Sequence, residues 1–238
     1  MSRITTVIFD MYETLAQNNA GLWVETFARI CRDQGLQVEP QVLYQEWKAP
    51  EMLFRKERLN LEEPEKSPPF KSYYHVWRDC FALAFSSLGL KGDASAAATE
   101  SIRDMGLREP YPDALQALPA IQACWSTGVL SNADDGYLLP LIDRMGWKFD
   151  AVLSSEMAHS YKPLPAPFRQ VLHMLDVPPE EAVYVGDTQF DDILGASGVG
   201  MRTVWVNRKW SSPDPHLPEP DRQVESLAEL PGILEEMS

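Results

Sequence analysis

Residues 5–15 read TTVIFDMYETL, in which a short run rich in β-branched and apolar residues, 5–9, is followed directly by the aspartate Asp10. β-Branched and aromatic residues favour a strand. A run that is apolar throughout is typical of a strand covered on both faces, as in a parallel sheet flanked by helices. In such sheets the functional residues lie beyond the carboxyl ends of the strands. Asp10 is therefore the first candidate functional residue.

Four later runs share this composition: residues 126–130 (STGVL), 151–154 (AVLS), 182–185 (AVYV) and 202–206 (RTVWV). Helical patterns lie between them, near residues 136–145, 167–175 and 191–196. This alternation predicts an α/β fold in three layers, with a parallel five-stranded sheet between helices. The residues that follow the second and fourth strands, Ser131, Asn132 and Asp187, become candidates beside Asp10.

The interval of residues 16–107 breaks this alternation. It contains consecutive amphipathic helical patterns near residues 23–34, 40–59, 72–88 and 94–105, and no strand candidate. The simplest interpretation is an α-helical bundle inserted after the first strand. The predicted domains are a core of residues 1–15 and 108–238 and a helical cap of residues 16–107. The proline-rich residues 211–220 predict a surface loop.

Composition limits the classes of partner. The 238 residues have a formal net charge of -14, which disfavours binding to nucleic acid or to an anionic membrane. No apolar stretch reaches the roughly 20 residues that a membrane helix needs. Three widely spaced cysteines, Cys31, Cys80 and Cys124, predict neither a disulfide framework nor a zinc cluster and fit a reducing compartment. We expect a cytoplasmic protein; the oligomeric state stays open.

Four short motifs stand at predicted strand ends, in order: residues 9–15 (FDMYETL), 129–132 (VLSN), 161–163 (YKP) and 185–192 (VGDTQFDD). Their order and spacing resemble the four motifs of the haloacid dehalogenase-like hydrolase superfamily. The helical insert resembles its first-type cap, so the resemblance covers essentially the whole chain. It implies a Rossmann-like core and a hydrolase that acts on a small anionic substrate, with Asp10 as the covalent nucleophile.

The physical roles of the motif residues agree with this resemblance. A positioned, desolvated carboxylate such as Asp10 can attack phosphorus or carbon. Thr14 can hydrogen-bond that carboxylate or the leaving centre. Ser131 and Asn132, at a helix N-terminus, can bind the anionic head of the substrate. Lys162 can keep Asp10 ionised, contact the substrate and offset developing charge.

A second carboxylate, Asp187, is expected near Asp10. Two close carboxylates share either a proton or a cation, and oxygen ligands with open water positions suit Mg²⁺. The resemblance implies that Asp10, the backbone carbonyl of Tyr12 and Asp187 bind this ion. Asp192 has the spacing of the motif's last carboxylate, which orients the lysine or metal-bound water; Asp191 is the neighbouring alternative.

The first motif departs from the phosphatase pattern. Phosphatases of the superfamily usually have a second Asp two residues after the nucleophile, as the acid for the leaving group. Here that residue is Tyr12, as in the L-2-haloacid dehalogenases, and its ring either contacts the substrate or only packs beneath the cap. Those dehalogenases also use a cap arginine, for which Lys48 and Arg55 are the nearest candidates, and a tyrosine where this chain has Phe168.

The fourth motif instead favours a phosphatase over a dehalogenase. The dehalogenases work without metal and have small polar residues where this chain has Gly186 and Asp187. An unneutralised Asp187 would raise the pKa of Asp10 and weaken it as a nucleophile. The sequence therefore favours Mg²⁺-dependent hydrolysis of a phosphate ester over dehalogenation. A non-catalytic or regulatory protein is the third alternative, because the usual acid is missing at Tyr12.

Overall fold

The computed structural model describes residues 3–237; residues 1, 2 and 238 of the predicted core domain lie outside the described residues. Its centre is a parallel sheet of six strands in the order β3-β2-β1-β4-β5-β6. The strands are β1 Thr6–Phe9, β2 Ser126–Ser131, β3 Ala151–Ser154, β4 Ala182–Gly186, β5 Arg202–Val206 and β6 Arg222–Val224. The predicted α/β fold class is confirmed.

The prediction of five strands was wrong by one edge strand. β6 has only three residues, Arg222, Gln223 and Val224, of which only the last is buried. It pairs in parallel with β5, and Val224 is opposite Val206. A three-residue strand with one apolar side chain has no detectable period, so the sequence pattern missed it.

The register of the sheet places Asp10 next to two other motifs. Phe9 pairs with Val129 of β2 on one side and with Val185 of β4 on the other. The backbone N–H of Asp10 still donates to the carbonyl of Val185, over 2.9 Å. All four residues of β1 are buried, as expected for the central strand of a sheet covered on both faces. The carboxyl end of β1 is therefore enclosed by the carboxyl ends of β2 and β4.

The α-helices are α1 Ala20–Asp33, α2 Pro40–Glu57, α3 Tyr73–Ser87, α4 Ala94–Met105, α5 Pro112–Gln122, α6 Asp135–Met145, α7 Ser155–Ala158, α8 Pro165–Met174, α9 Gly195–Gly198 and α10 Leu230–Met237. Short 3-10 helices occupy Pro64–Lys66, Pro179–Glu181 and Leu227–Glu229. A π-helical turn spans Gln189–Leu194, where the sequence predicts an ordinary helix. Residues 211–220 contain neither helix nor strand, as predicted. No helix within residues 3–237 has both the length and the apolarity to cross a membrane.

The chain divides into two compact units. The sheet unit comprises the described residues up to Gln17, Glu109–Asn132 and the chain from Gly146 onward; the helical unit comprises Asn18–Arg108 and Ala133–Met145. The helical unit packs around buried aromatic rings. Trp23 stacks on Trp47 with centroids 5.0 Å apart, and Phe27 lies 5.1 Å from Phe81. These rings form a core, which explains the aromatic composition of the insert.

Helix α6 belongs to the helical unit, whereas the predicted domain division assigns residues 133–145 to the core. Tyr137 of α6 stacks on Trp77 of α3 at 5.6 Å. The carboxylate of Asp134 accepts the backbone N–H groups of Tyr73 and Tyr74 at 2.8 and 2.7 Å, and so caps the first turn of α3. Such long-range contacts leave no trace in the periodicity of the sequence.

Candidate active site

Asp10, Lys162 and Asp192 form a buried ionic cluster in the sheet unit. The Lys162 ammonium Nζ lies 2.7 Å from Oδ1 of Asp10 and 2.6 Å from Oδ1 of Asp192. The three side chains are at most 9% exposed. Charge-assisted hydrogen bonds in such surroundings are short and strong. The structure thus brings together three residues that the sequence placed at the ends of different strands.

Ser131 and Asn132, at the end of β2, contact this cluster in different ways. The Ser131 hydroxyl donates to Oδ1 of Asp10 at 3.0 Å. The Asn132 side chain instead pairs with the backbone of Lys162: its Oδ1 accepts the Lys162 N–H at 2.8 Å, and its Nδ2 donates to the Lys162 carbonyl at 3.2 Å. Asn132 therefore holds the segment that supplies the lysine.

Asp192 reaches the lysine because the residue at the end of β4 is a glycine. A Cβ atom on Gly186 would lie 2.4 Å from Cγ of Asp192, which is too close for any side chain. The second oxygen of Asp192 accepts the backbone N–H and the hydroxyl of Thr188, at 2.9 and 2.8 Å. Of the two aspartates that the sequence left open, Asp192 is the one in contact with Lys162, whereas Asp191 is half-buried in the same π-helical turn.

Asp187 directly follows β4. Its backbone carbonyl accepts the indole N–H of Trp205 at 2.9 Å. Its carboxylate has no hydrogen-bond donor among residues 3–237. The residue as a whole is half-buried and lines a small pocket with Glu13, Arg208 and Lys209, among others. A carboxylate in this setting is available to a ligand.

The carboxylates of the site repel one another. Burial raises the pKa of Asp10 to about 6, and the Asp192 charge adds to the increase, although the Lys162 ammonium opposes it. Burial, followed by the charges of Asp192 and Asp10, raises the pKa of Asp187 well above its usual value. Asp10 and Asp192 share one ammonium ion, and Asp187 is a third carboxylate in the site, so the site has more carboxylates than ammonium groups.

Two further predicted site residues, Thr14 and Tyr12, belong to the first motif. The hydroxyl of Thr14 is buried without a hydrogen-bond partner among the described residues, so it does not bond the Asp10 carboxylate. Tyr12 is half-buried and forms an isolated bridge with Ala16. The roles proposed for Thr14 and for the Tyr12 carbonyl stay predictions.

The candidate cap cations of a dehalogenase are engaged elsewhere. Lys48 lies 2.9 Å from the fully buried carboxylate of Glu51, and Arg55 forms an ion pair with the same carboxylate. Phe168 is fully buried, and its ring packs on Tyr184 at 5.2 Å. Lys48 and Arg55 therefore stabilise a buried charge within the helical unit.

Sequence reasoning missed Tyr184 and the surroundings of Arg208. Tyr184, which the sequence predicts only as a strand residue, accepts a hydrogen bond from Lys162 Nζ at 2.8 Å. Arg208 forms a bidentate pair with Asp113 at 2.7 and 3.0 Å and lies over the Tyr111 ring at 3.9 Å. The signal that could have identified Tyr184 was its hydroxyl in the otherwise apolar strand β4, since a buried tyrosine usually has a hydrogen-bond partner.

Comparison with known proteins gives relatives of two kinds. The family model for haloacid dehalogenase-like hydrolases matches residues 4–200. The (S)-2-haloacid dehalogenase of Xanthobacter autotrophicus is 31% identical over 141 residues, 58% of this chain and 54% of that protein. The glyceraldehyde 3-phosphate phosphatase of Pyrococcus furiosus is 40% identical over 88 residues, 37% of this chain and 36% of that protein. The chain thus matches about half, or less, of the length of these curated relatives.

Solved structures agree over nearly the whole chain. The L-2-haloacid dehalogenase of X. autotrophicus has a TM-score of 0.78 at 24% identity, covering 99% of this chain and 100% of that one. The HAD-hydrolase YfnB of Bacillus subtilis, in a magnesium-bound crystal, has a TM-score of 0.79 at 19% identity, covering 98% and 99%. Likeness at these identities shows the fold alone, and the relatives include both dehalogenases and phosphatases. Because the family model matches well over half of the chain, this protein belongs to the haloacid dehalogenase-like hydrolases.

Proposed function

We propose that this protein is a Mg²⁺-dependent phosphohydrolase that acts on a small phosphate ester through an aspartyl-phosphate on Asp10. The observation that carries the proposal is the excess of carboxylates over ammonium groups: Asp10 and Asp192 share Lys162, and Asp187 has no donor among the described residues. A divalent cation beside Asp10 and Asp187 would neutralise this charge, and the phosphoryl group could share it.

The donor set fits Mg²⁺. Within residues 3–237, no three His, Cys, Asp or Glu side chains form a metal site. The proposed site needs only the carboxylates of Asp10 and Asp187 and the carbonyl of Tyr12, because Mg²⁺ commonly keeps several waters and binds one or two carboxylates. When bound, the ion supplies charge neutralisation and polarises a phosphoryl oxygen.

The hydrogen bonds to Asp10 indicate which of its oxygens would attack. Oδ1 accepts from both Lys162 and Ser131, whereas Oδ2 accepts no hydrogen bond from the described residues. Oδ2 would form the bond to phosphorus while the ester P–O bond breaks, and the leaving oxygen would take its proton from water. A second water would then attack phosphorus and break the bond to Asp10, which restores the carboxylate and releases phosphate.

Ser131 is the proposed contact for the anionic head: its hydroxyl donates to Asp10 in this structure and would turn to donate to a bound substrate instead. Lys162 is proposed to hold Asp10 ionised, and Asn132 to hold the backbone of Lys162.

We also propose a cytoplasmic location, because all three cysteines are free thiols.

A 2-haloacid dehalogenase is the second candidate, and Tyr12 is the observation that favours it. In that reaction Asp10 attacks carbon, the halide leaves without needing a proton, and water hydrolyses the resulting ester. No carboxylic acid at position 12 is required. Asp187 argues against this reaction, since without a cation it is a third carboxylate in the site, and the charges of Asp192 and Asp10 help to raise its own pKa.

One assay distinguishes the two candidate functions. A panel of phosphate esters and 2-haloacids is incubated with the purified protein, in Mg²⁺ or in EDTA, and the release of phosphate and halide is measured. We expect phosphate release that needs Mg²⁺ and is abolished in Asp10→Asn. Halide release in EDTA would establish the dehalogenase instead, and no release from any substrate would favour a non-catalytic role.

A further inference from the structure

The ammonium group of Lys162 has three N–H bonds, and at least three acceptors among residues 3–237 lie within hydrogen-bond distance of it. Besides Asp10 and Asp192, Nζ contacts the hydroxyl of Tyr184 at 2.8 Å. The lysine is only 2% exposed. These three acceptors account for all three N–H bonds, so the side chain has none left to donate to a substrate.

The direction of the Tyr184 hydrogen bonds is fixed by their partners. The hydroxyl donates its proton to the carbonyl of Leu130 at 2.6 Å, and so it must accept from the lysine. Leu130 is the residue before Ser131 on β2, whose hydroxyl donates to Asp10. One hydroxyl therefore links the lysine to the strand that supplies another contact of the nucleophile.

The ring of Tyr184 is held in place from one side by Phe168. The two ring centroids are 5.2 Å apart in an edge-to-face arrangement, and both side chains are fully buried. Gly195 makes room for Phe168, because a Cβ atom there would lie 2.3 Å from its ring. The position of the hydroxyl is thus set by packing as well as by hydrogen bonds.

We propose that Tyr184 is a positioning residue of the active site: its hydroxyl occupies the third N–H bond of Lys162 and ties the ammonium group to β2. On this account the lysine acts on the substrate only through Asp10. The inference rests on the proposed roles of Asp10 and Lys162 but not on the choice between phosphorus and carbon as the atom attacked. Without the hydroxyl, the ammonium group would be free to shift among the three carboxylates.

The kinetic test compares Tyr184→Phe with a matched loss of a buried hydroxyl, Tyr44→Phe in the helical unit. We expect kcat of Tyr184→Phe to fall about 10- to 100-fold, because small misplacements of reacting groups can cost about 100-fold. KM should stay within about twofold, since the lysine makes no direct bond to the substrate. Tyr44→Phe should match the wild type in both constants. An unchanged kcat in Tyr184→Phe would overturn the inference.

A spectroscopic readout separates positioning from a general loss of structure. In protein labelled with ¹⁵N-lysine, we expect a slowly exchanging ammonium signal, identified by its absence in Lys162→Met. This signal should broaden or vanish in Tyr184→Phe and persist in Tyr44→Phe. A signal that persists in Tyr184→Phe would overturn the inference even if kcat falls.

The outcomes also distinguish this inference from the proposed function. The kinetic constants are measured with whichever substrate of the panel the wild type hydrolyses. Metal-independent halide release would contradict the phosphatase proposal. The role of Tyr184 would then still be tested by the kinetics of Tyr184→Phe with the haloacid as substrate. Mg²⁺-dependent phosphate release, with kcat and KM unchanged in Tyr184→Phe, would support the proposed function and overturn the inference about Tyr184.

Discussion

Two adjacent aspartates of the π-helical turn differ in their contacts and should differ in their importance. Asp192 lies 2.6 Å from the Lys162 ammonium, whereas Asp191 is its half-buried neighbour. We expect Asp192→Asn to lower kcat by at least about 100-fold, because it weakens a buried charge-assisted bond that orients the lysine. Asp191→Asn is the matched control and should retain most of the activity. Equal losses in steady-state kinetics would contradict the assignment.

Asp187 is the residue at which the proposed metal site can be tested without a substrate. Since its carboxylate repels those of Asp10 and Asp192, Asp187→Asn should raise the melting temperature in EDTA by a few degrees, about 2–4 °C for each kcal/mol. Mg²⁺ should raise the melting temperature of the wild type but not of this variant. The measurement is a thermal melt with and without Mg²⁺. A variant that Mg²⁺ still stabilises would exclude Asp187 as a ligand.

The raised pKa of Asp10 makes the stability of the metal-free protein depend on pH. Burial raises this pKa to about 6 in the folded protein, so the folded state binds the proton more tightly than the unfolded state does. The stabilisation is complete below the unfolded pKa of about 4 and is lost as the pH rises through about 6. In EDTA, urea unfolding should show that the wild type loses stability relative to Asp10→Asn between pH 4 and 7. Parallel pH profiles would contradict the assignment.

At the scale of single elements, the end of β4 depends on the absence of a side chain at Gly186. We expect Gly186→Ala to displace Asp192 and lower kcat strongly, with a loss of stability of about 1–3 kcal/mol from overpacking. Gly198→Ala is the matched control, because a Cβ atom there meets no atom within 4 Å. The check is kcat together with urea denaturation of both variants. Wild-type kcat in Gly186→Ala would show that Asp192 does not need this approach.

The elements that the sequence predicted well are those with a clear period or composition. β1 and β4 are rich in β-branched and apolar residues and are buried along their whole length, and the structure places Asp10 and Asp187 just after them. β6 was missed because three residues carry no period. The contact between Tyr184 and Lys162 was missed because Tyr184 lies inside β4, whereas the candidate residues were sought at the ends of strands. Strand ends can be read locally, whereas hydrogen bonds between elements depend on packing that the pattern does not encode.

At the scale of the whole molecule, the net charge of -14 opposes the approach of an anionic substrate. Salt screens this repulsion, with a Debye length of about 30 Å at 0.01 M and about 8 Å at 0.15 M ionic strength. We expect kcat/KM for a phosphate ester to rise over this range at saturating Mg²⁺. The salt dependence of initial rates at low substrate measures it. A fall in kcat/KM would indicate instead that a locally positive entrance attracts the substrate.

The proposed phosphatase reaction requires that Asp10 becomes covalently phosphorylated and that this step needs Mg²⁺. The most direct measurement is mass spectrometry of the peptide that contains Asp10, after acid quenching of a single turnover with a phosphate ester. We expect a phosphoryl group on Asp10 in Mg²⁺, and none in EDTA or in Asp10→Asn. Phosphate release without any adduct, or an adduct that forms equally well in EDTA, would contradict it.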